Sequence, residues 1–346
     1  MSDVGRLAGV SHQTVSRVIN GSASVRPETR ERVLEAMREL GYRPNPVARA
    51  LATGRSNTIG VVSFDTTLYG PASTMLGIER AAHEAGYFTI IASLKALDRS
   101  SVPEAVERLR QHGVDGMLVI APQEESADAA AHAPAGDIPL VAVEAGPAAG
   151  VPVVTIDQVA GAVAATRHLL ELGHETVWHI AGPWHFLEAQ RRLEGWRSEL
   201  ERAGARVPEA PTGDWSARVG YEHAKTLLRA EPVTAIFVAN DQMALGALRA
   251  LHEAGRRVPE EVSIVGFDDI PEAPYFTPPL STVRQDFDDM GRRSVALLLR
   301  MIAGKRVRSG TSAKPELLVR QSTAPPPERR RRRSAAARAG RRTRWG

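Results

Sequence analysis

The chain has 346 residues, 43% hydrophobic and 24% charged, which is a globular composition with room for two or three domains. The lack of cysteine excludes disulfides and thiolate metal sites. With no apolar run of bilayer-spanning length and no basic-then-apolar leader at Met1, a cytosolic location is expected. The net charge of +4 hides a segregation. Residues 1–55 carry nine arginines against five acids and residues 328–346 nine against one, which leaves −8 in between, so the ends are the parts suited to approach a polyanion.

Three short helices are predicted in the first 43 residues. Asp3 to Ala8 forms the first, closed by Gly9, and Ser11 caps the second, which stops at Asn20 and Gly21. Pro27 opens the third and Gly41 lies just past its end. Val33, Met37 and Leu40, with Leu34 beside them, form an inner face for Val4, Leu7, Val10, Val15 and Val18. Such a core is marginal by itself. The second helix, within "LAGVSHQTVSRVING", shows His12, Gln13, Thr14, Ser16 and Arg17 with no carboxylate among them. A solvated helix normally mixes signs at i, i+4, whereas this one offers donors and a cation and suits an anion. Gln13 and Arg17 share a face with His12 beside them, and these side chains match adenine and guanine edges in a major groove. Ser11, Thr14, Ser16 and Asn20 can donate to phosphates. The spacing alone leaves a plain solvated helix equally open.

From Thr58 apolar runs alternate with amphipathic helical segments. The runs are "TIGVVSF", "FTIIASL", "GMLVIAP", "LVAVEA", "TVWHIAG", "TAIFVAN" and "VSIVGFDD", with helices such as "ASTMLGIERAAHEAGY" and "GWRSELERAG" between them. This pattern predicts parallel sheets covered on both faces, with strands enough for two. Ligands then bind at the carboxyl ends of the strands, where Asp65, Glu144, Asn240, Asp241, Asp268 and Asp269 fall. His168, His174, His179 and His185 match no metal-ligand spacing, and His179 lies within an apolar strand as a core residue. There is no glycine-rich phosphate loop and no nucleophile elbow, so neither a cofactor nor an enzyme activity is expected. Residues 324–346, rich in Pro, Arg and Ala, are expected to be disordered. Without an apolar heptad seam the tail has nothing with which to build a tetramerising bundle.

"DVGRLAGVSHQTVSRVING" followed by "VRPETRERVLEAMRELGYRPNPVARALATGRS" resembles the head of the lactose repressor family of bacterial transcription factors. The resemblance runs on through "LEGW", "GDWSA", "VANDQMALGALRAL", "VSIVGFDD" and "PPLSTVRQDF", over roughly residues 3 to 323. It implies a small all-α helix-turn-helix head (residues 1–43), a hinge helix and linker (44–57), and an α/β body of two doubly wound lobes like the periplasmic binding proteins (58–323). The lobes are expected at about 58–156 with 287–313, and 157–284 with 314–323. The implied partners are double-stranded operator DNA, a small sugar or glycoside effector and a second copy of the chain, with no membrane. The implied DNA contacts are Ser11, His12, Gln13, Thr14, Ser16, Arg17, Asn20 and Thr29, then Asn45, Ala48, Arg49 and Leu51 of the hinge. Asn45 can cap and Pro46 start a helix of two turns, unstable alone in water, which in the family enters the minor groove and wedges a leucine into a base step. Several family residues precede the equivalent of Asp3, and Gly5 costs the first helix roughly 0.5–1 kcal/mol, so a start at Met1 and one upstream both stay open.

The resemblance also gathers Phe64, Glu144, Arg192, Trp215, Asn240, Asp268, Gln285 and Phe287 around an effector pocket between the lobes. Arg192 and Asp268 match the sugar-binding arginine and the acceptor of ligand hydroxyls, and Trp215 offers a face for the apolar side of a sugar ring. The chain departs from lactose-type members here. It has Ala96 for an arginine, Glu144 for an aspartate, and Phe186 and Glu188 for serines, so the effector is not simply a lactose-type galactoside. Two alternatives remain: a regulator whose ligand promotes DNA binding, as in the purine-type branch, or a sugar-binding protein or enzyme with no DNA function.

Overall fold

A computed structural model of the protein describes residues 1–19, 22, 24–43, 54–64, 67–94, 100–146, 151–230, 232–307 and 310–327. The chain forms two compact units, one ending at Asn57 and one beginning at Thr58.

The first unit is built on helices α1 (Ser2–Ala8), α2 (His12–Ile19) and α3 (Pro27–Glu39). Gly9 and Gly41 hold φ of +62° and +58° just past α1 and α3, a conformation that costs glycine nothing. Val4, Ala8, Val15, Val18, Val33 and Ala36 are its buried core, with Val10 and Met37 packed against them. Three predicted core residues are corrected: Leu7, Leu34 and Leu40 are all more than 40% exposed. On α3 the buried stripe runs through Val33, Ala36 and Met37, and Leu34 lies about 100° round from Val33. Gly5 is also explained, because a Cβ there would stand 2.9 Å from the Val10 carbonyl oxygen. The close turn between α1 and α2 requires the glycine.

The second unit holds two sheets. The first is wholly parallel, in the order β10-β5-β4-β3-β1-β2: β1 (Thr58–Phe64), β2 (Phe88–Leu94), β3 (Gly116–Ile120), β4 (Leu140–Val143), β5 (Val153–Ile156) and β10 (Thr311–Ala313). The second has the order β11-β9-β8-β7-β6: β6 (Trp178–Ile180), β7 (Ala235–Val238), β8 (Ser263–Asp268), β9 (Ser281–Arg284) and β11 (Glu316–Leu318), with β11 antiparallel at the edge. Side-chain alternation decides which helices cover which face. On β1, Ile59 and Val61 share a core with α4 (Tyr69–Glu84) and α11 (Phe287–Ile302). Val62 and Phe64 instead face α5 (Ser101–Gln111) and α6 (Glu124–Ala131). On β7, Ala235 and Phe237 meet α7 (Gln158–Leu172) and α8 (Leu187–Arg202), while Ile236 and Val238 meet α9 (Ala217–Ala230) and α10 (Asp241–Glu253).

The chain crosses between the sheets three times: after β5, after β9 and between β10 and β11. The predicted tail boundary is corrected. Ala324 is buried, its carbonyl accepts hydrogen bonds from Ser263 Oγ at 2.9 Å and from His174 Nε2 at 3.0 Å, and the described chain continues to residue 327. His179, as expected, is a core residue, stacked on Phe237 at 4.6 Å with Nδ1 against that residue's carbonyl. No helix among the described residues is long and apolar enough to cross a membrane.

Candidate functional site

In the head, Val15 and Val18 turn into the core, which leaves Ser11, His12, Gln13 and Arg17 exposed and Thr14 and Ser16 half-buried. Ser11 starts α2. Its Oγ accepts from the Thr14 amide at 3.2 Å and lies 2.9 Å from Thr14 Oγ1, so these two expected phosphate donors are also each other's partners. Thr29 sits half-buried in the first turn of α3. Asn20, Asn45, Ala48, Arg49 and Leu51 lie outside the described residues.

In the body, a cavity of about 330 Å³ lies between the carboxyl ends of the two sheets. Glu144, Arg192, Trp215, Asn240, Asp268, Gln285 and Phe287 all line it, with Tyr69, Phe186 and Glu188. Phe64 is not among its lining residues. It belongs to the α5–α6 face of β1, whereas the cavity is reached from the loop leading into α4.

Four side chains form a closed ring. Arg192 Nε donates to Gln158 Oε1 at 2.9 Å, Gln158 Nε2 to Gln285 Oε1 at 2.7 Å, and Gln285 Nε2 to Asp268 Oδ1 at 2.7 Å. Asp268 Oδ1 in turn lies 3.4 Å from Arg192 Nη2. Arg192 is only 3% exposed; it also donates to the Ala239 carbonyl and lies over the Phe267 ring at 3.9 Å. Burial pushes the Asp268 carboxyl up to about 6, against the pull of the Arg192 guanidinium and the Gln285 hydrogen bond. Gln158, the first residue of α7, was missed from sequence. Its place directly after a strand, in "VTIDQ", was the available signal.

Asn240 is held rather than offered: its side-chain oxygen caps α10 at the Met243 amide, and its nitrogen donates to the Trp215 carbonyl at 3.1 Å. Its neighbour Asp241 is buried under Thr282 and the Ile270 amide, joining α10 to β9. Asp269, also at the end of β8, pairs with Arg284 and Arg320. Trp215 stands edge-on to Phe186 at 5.7 Å and 5.5 Å from the Arg192 guanidinium. The ring needs Gly182, where a Cβ would come within 2.2 Å of it. Tyr69 and Phe287 meet edge-to-face at 5.7 Å on the opposite wall.

Glu144, at the end of β4, is 7% exposed; its Oε1 accepts from Thr74 Oγ1 at 2.8 Å. Burial raises its carboxyl to about 7, opposed by Thr74, Glu188 and Arg192. Glu188, in the first turn of α8, is held well above the usual carboxylate range by desolvation and then by the charge of Glu144. Among the described residues, five non-glycines have positive φ. Glu144 (+59°), Trp215 (+69°) and Asp268 (+108°) line the cavity and Asp269 (+54°) adjoins it, which is how backbone strain clusters at ligand sites. The four histidines singled out in the sequence do not converge, and no group of metal-ligating side chains is found among the described residues.

Residues 1–45 match the family described as bacterial regulatory proteins, lacI family, and residues 166–323 the periplasmic binding protein-like domain. The lactose operon repressor of Escherichia coli strain K12 is 35% identical over 322 residues, 93% of this chain and 89% of that protein. The chain belongs to the lacI family of bacterial regulatory proteins. The HTH-type transcriptional repressor PurR of Haemophilus influenzae (strain ATCC 51907 / DSM 11121 / KW20 / Rd) is also 35% identical, across 93% of this chain and 98% of its own. A solved structure of the lac repressor dimer bound to operator and the anti-inducer ONPF superposes with a TM-score of 0.85 at 34% identity, covering 93% of this chain and 98% of that one.

Proposed function

We propose that the protein is a bacterial transcriptional repressor, acting in the cytoplasm as a homodimer, that binds operator DNA through α2. A small sugar-like effector in the body's cavity sets its affinity for the operator. The observation that carries the reading is the exposed face of α2, with Gln13 and Arg17 one turn apart and no acid on the helix. Such a face meets phosphates without like-charge repulsion and presents two bidentate readers of base edges.

The cavity supports the effector half of the proposal. Its size is that of a small-molecule site, and it combines a rigid set of donors and acceptors with aromatic walls, as a hydroxyl-rich ring requires. Homodimer formation is supported by Phe88 and Ile91, exposed on the edge strand β2, together with exposed Leu76 on α4.

The test is selection of bound duplexes from a random library, followed by thermal shifts with sugars and purine bases. A specific half-site should emerge, with affinity falling steeply as salt rises. A ligand at a hundred times its dissociation constant stabilises the body by about 2.7 kcal/mol. Its effect on duplex affinity, weaker or stronger, separates induction from corepression. A library that yields no preferred sequence overturns the proposal.

A further inference from the structure

Among the described residues, the charged groups lining the cavity are Glu144, Glu188, Asp214 and Asp268 against Arg192. Arg192 and Asp268 answer each other within the ring, and Asp214 is held by the Ser216 amide and hydroxyl and by Arg218. Among the described residues Glu144 and Glu188 have no ion-pair partner of their own; one stands at the end of β4 and the other on α8, and both line the cavity. Glu144 Oε2 is buried and has no donor among the described residues. Glu188, which bears on Glu144 and lines the same cavity, is itself a carboxyl and can donate only when protonated. Two carboxyls facing one desolvated cleft resist ionising together, so the pair keeps a proton between them.

We propose that the effector is a sugar carrying an amine, whose ammonium sits between Glu144 and Glu188 and takes the place of their shared proton. This rests on the reading of the cavity as a sugar pocket and adds the chemical class. An ammonium brings three donors and the missing positive charge, where a hydroxyl brings one donor and no charge. Charge-assisted hydrogen bonds are about twice as strong as neutral ones, and the preference grows in a dry cleft. Binding lets both carboxyls ionise and releases the proton to solvent. The remaining groups that bear on the pair are Thr74 from α4, Arg192 from α8 and Asp268 from β8; Arg191 borders the neighbouring cavity beside Glu188.

The test is calorimetry on the full chain at about pH 6.5, below the pKa of a simple amine. Glucosamine and galactosamine are compared with glucose, galactose and N-acetylglucosamine, in two buffers of different ionisation heat, with a purine base as a further probe. The amines should bind at least about tenfold more tightly than their neutral parents. Their heats should depend on buffer in the sense of proton release, and Glu188→Gln and Glu144→Gln should each remove the preference. The proton release is read on the unmodified chain, so the result does not depend on the variants folding. Neutral sugars binding as tightly as the amines, or amines binding without proton release, overturns the amine while the sugar pocket stands. Binding of the purine alone, or of no probe at all, overturns the sugar reading and this inference with it.

Discussion

The head and the cavity use polar side chains in opposite ways. On α2, Gln13 and Arg17 stand on an exposed surface over a core of a few valines and alanines. In the cavity, Arg192, Gln158, Gln285 and Asp268 are buried and bonded to one another. A surface that reads a duplex needs its side chains exposed at the right spacing, because the base edges and phosphates it would meet are presented ready-made by the partner. A pocket that must tell one small molecule from another needs donors and acceptors fixed in advance, and the fixing is done by other polar groups. The same substitution therefore has different consequences in the two places: it removes a contact to the partner in the head, and it breaks the site itself in the body.

The largest effect is expected from Arg192→Ala. It leaves Asp268 buried without its cation and opens the ring, which should lower the body's stability by about 3–5 kcal/mol in a denaturant titration. A loss of under 1 kcal/mol would break the comparison, since the ring would then be no more than a set of surface-like contacts.

Next comes the pH dependence of Glu144. Its folded pKa of about 7 lies above its ordinary value, so the folded chain keeps a proton that the unfolded chain has already lost. Stability from this group is lost as pH rises from about 4.5 to about 7. His174 and His179, held down near 4 by burial, work the other way and add stability as pH rises from about 4 to 6.5. Comparing Glu144→Gln with the parent cancels the histidines. The variant should gain on the order of 2–3 kcal/mol relative to the parent across that window. A difference flat in pH would show that Glu144 ionises normally.

Arg17→Ala sharpens the other side of the comparison. It should cost roughly 1–3 kcal/mol on the selected operator and relax one base position, while folded stability moves by no more than about 0.5 kcal/mol. Equal loss on random duplex would make Arg17 a phosphate contact. The smallest effect is that of Ser11→Ala, which removes the cap of α2 and should lower the head's stability by about 1 kcal/mol in thermal melts.

How much of this was legible in the sequence follows the same division. The head's helices and the face of α2 were readable because a 3.6-residue period and cap residues decide both within twenty residues. Leu7, Leu34 and Leu40 misled, because small alanines such as Ala36 fill a core this narrow. In the body the strands inside long apolar runs were readable, even short ones such as β6, but β5, β9, β10 and β11 lack such a run. Cavity residues at strand ends, such as Glu144 and Asp268, followed from topology together with the family resemblance. Gln158 did not, since its part in the ring depends on Gln285, 127 residues away, meeting it at a crossing between sheets. Phe64, gathered into the pocket by the resemblance, packs with α5 and α6 instead, because strand alternation fixes its face only once the covering helices are known.

The central claim is that occupancy of the cavity governs the head's grip on DNA. A ligand does this only through its difference in affinity for two arrangements of the body, and coupling of this kind is typically 1–3 kcal/mol. The most direct measurement is fluorescence anisotropy of the selected operator duplex, titrated with the parent chain and with Arg192→Ala, with and without the sugar that shifts the parent's melting temperature. The account predicts that the sugar weakens operator binding by the parent roughly five- to 150-fold and leaves that by Arg192→Ala unchanged. Release of operator by Arg192→Ala at the same sugar concentration as the parent would contradict it.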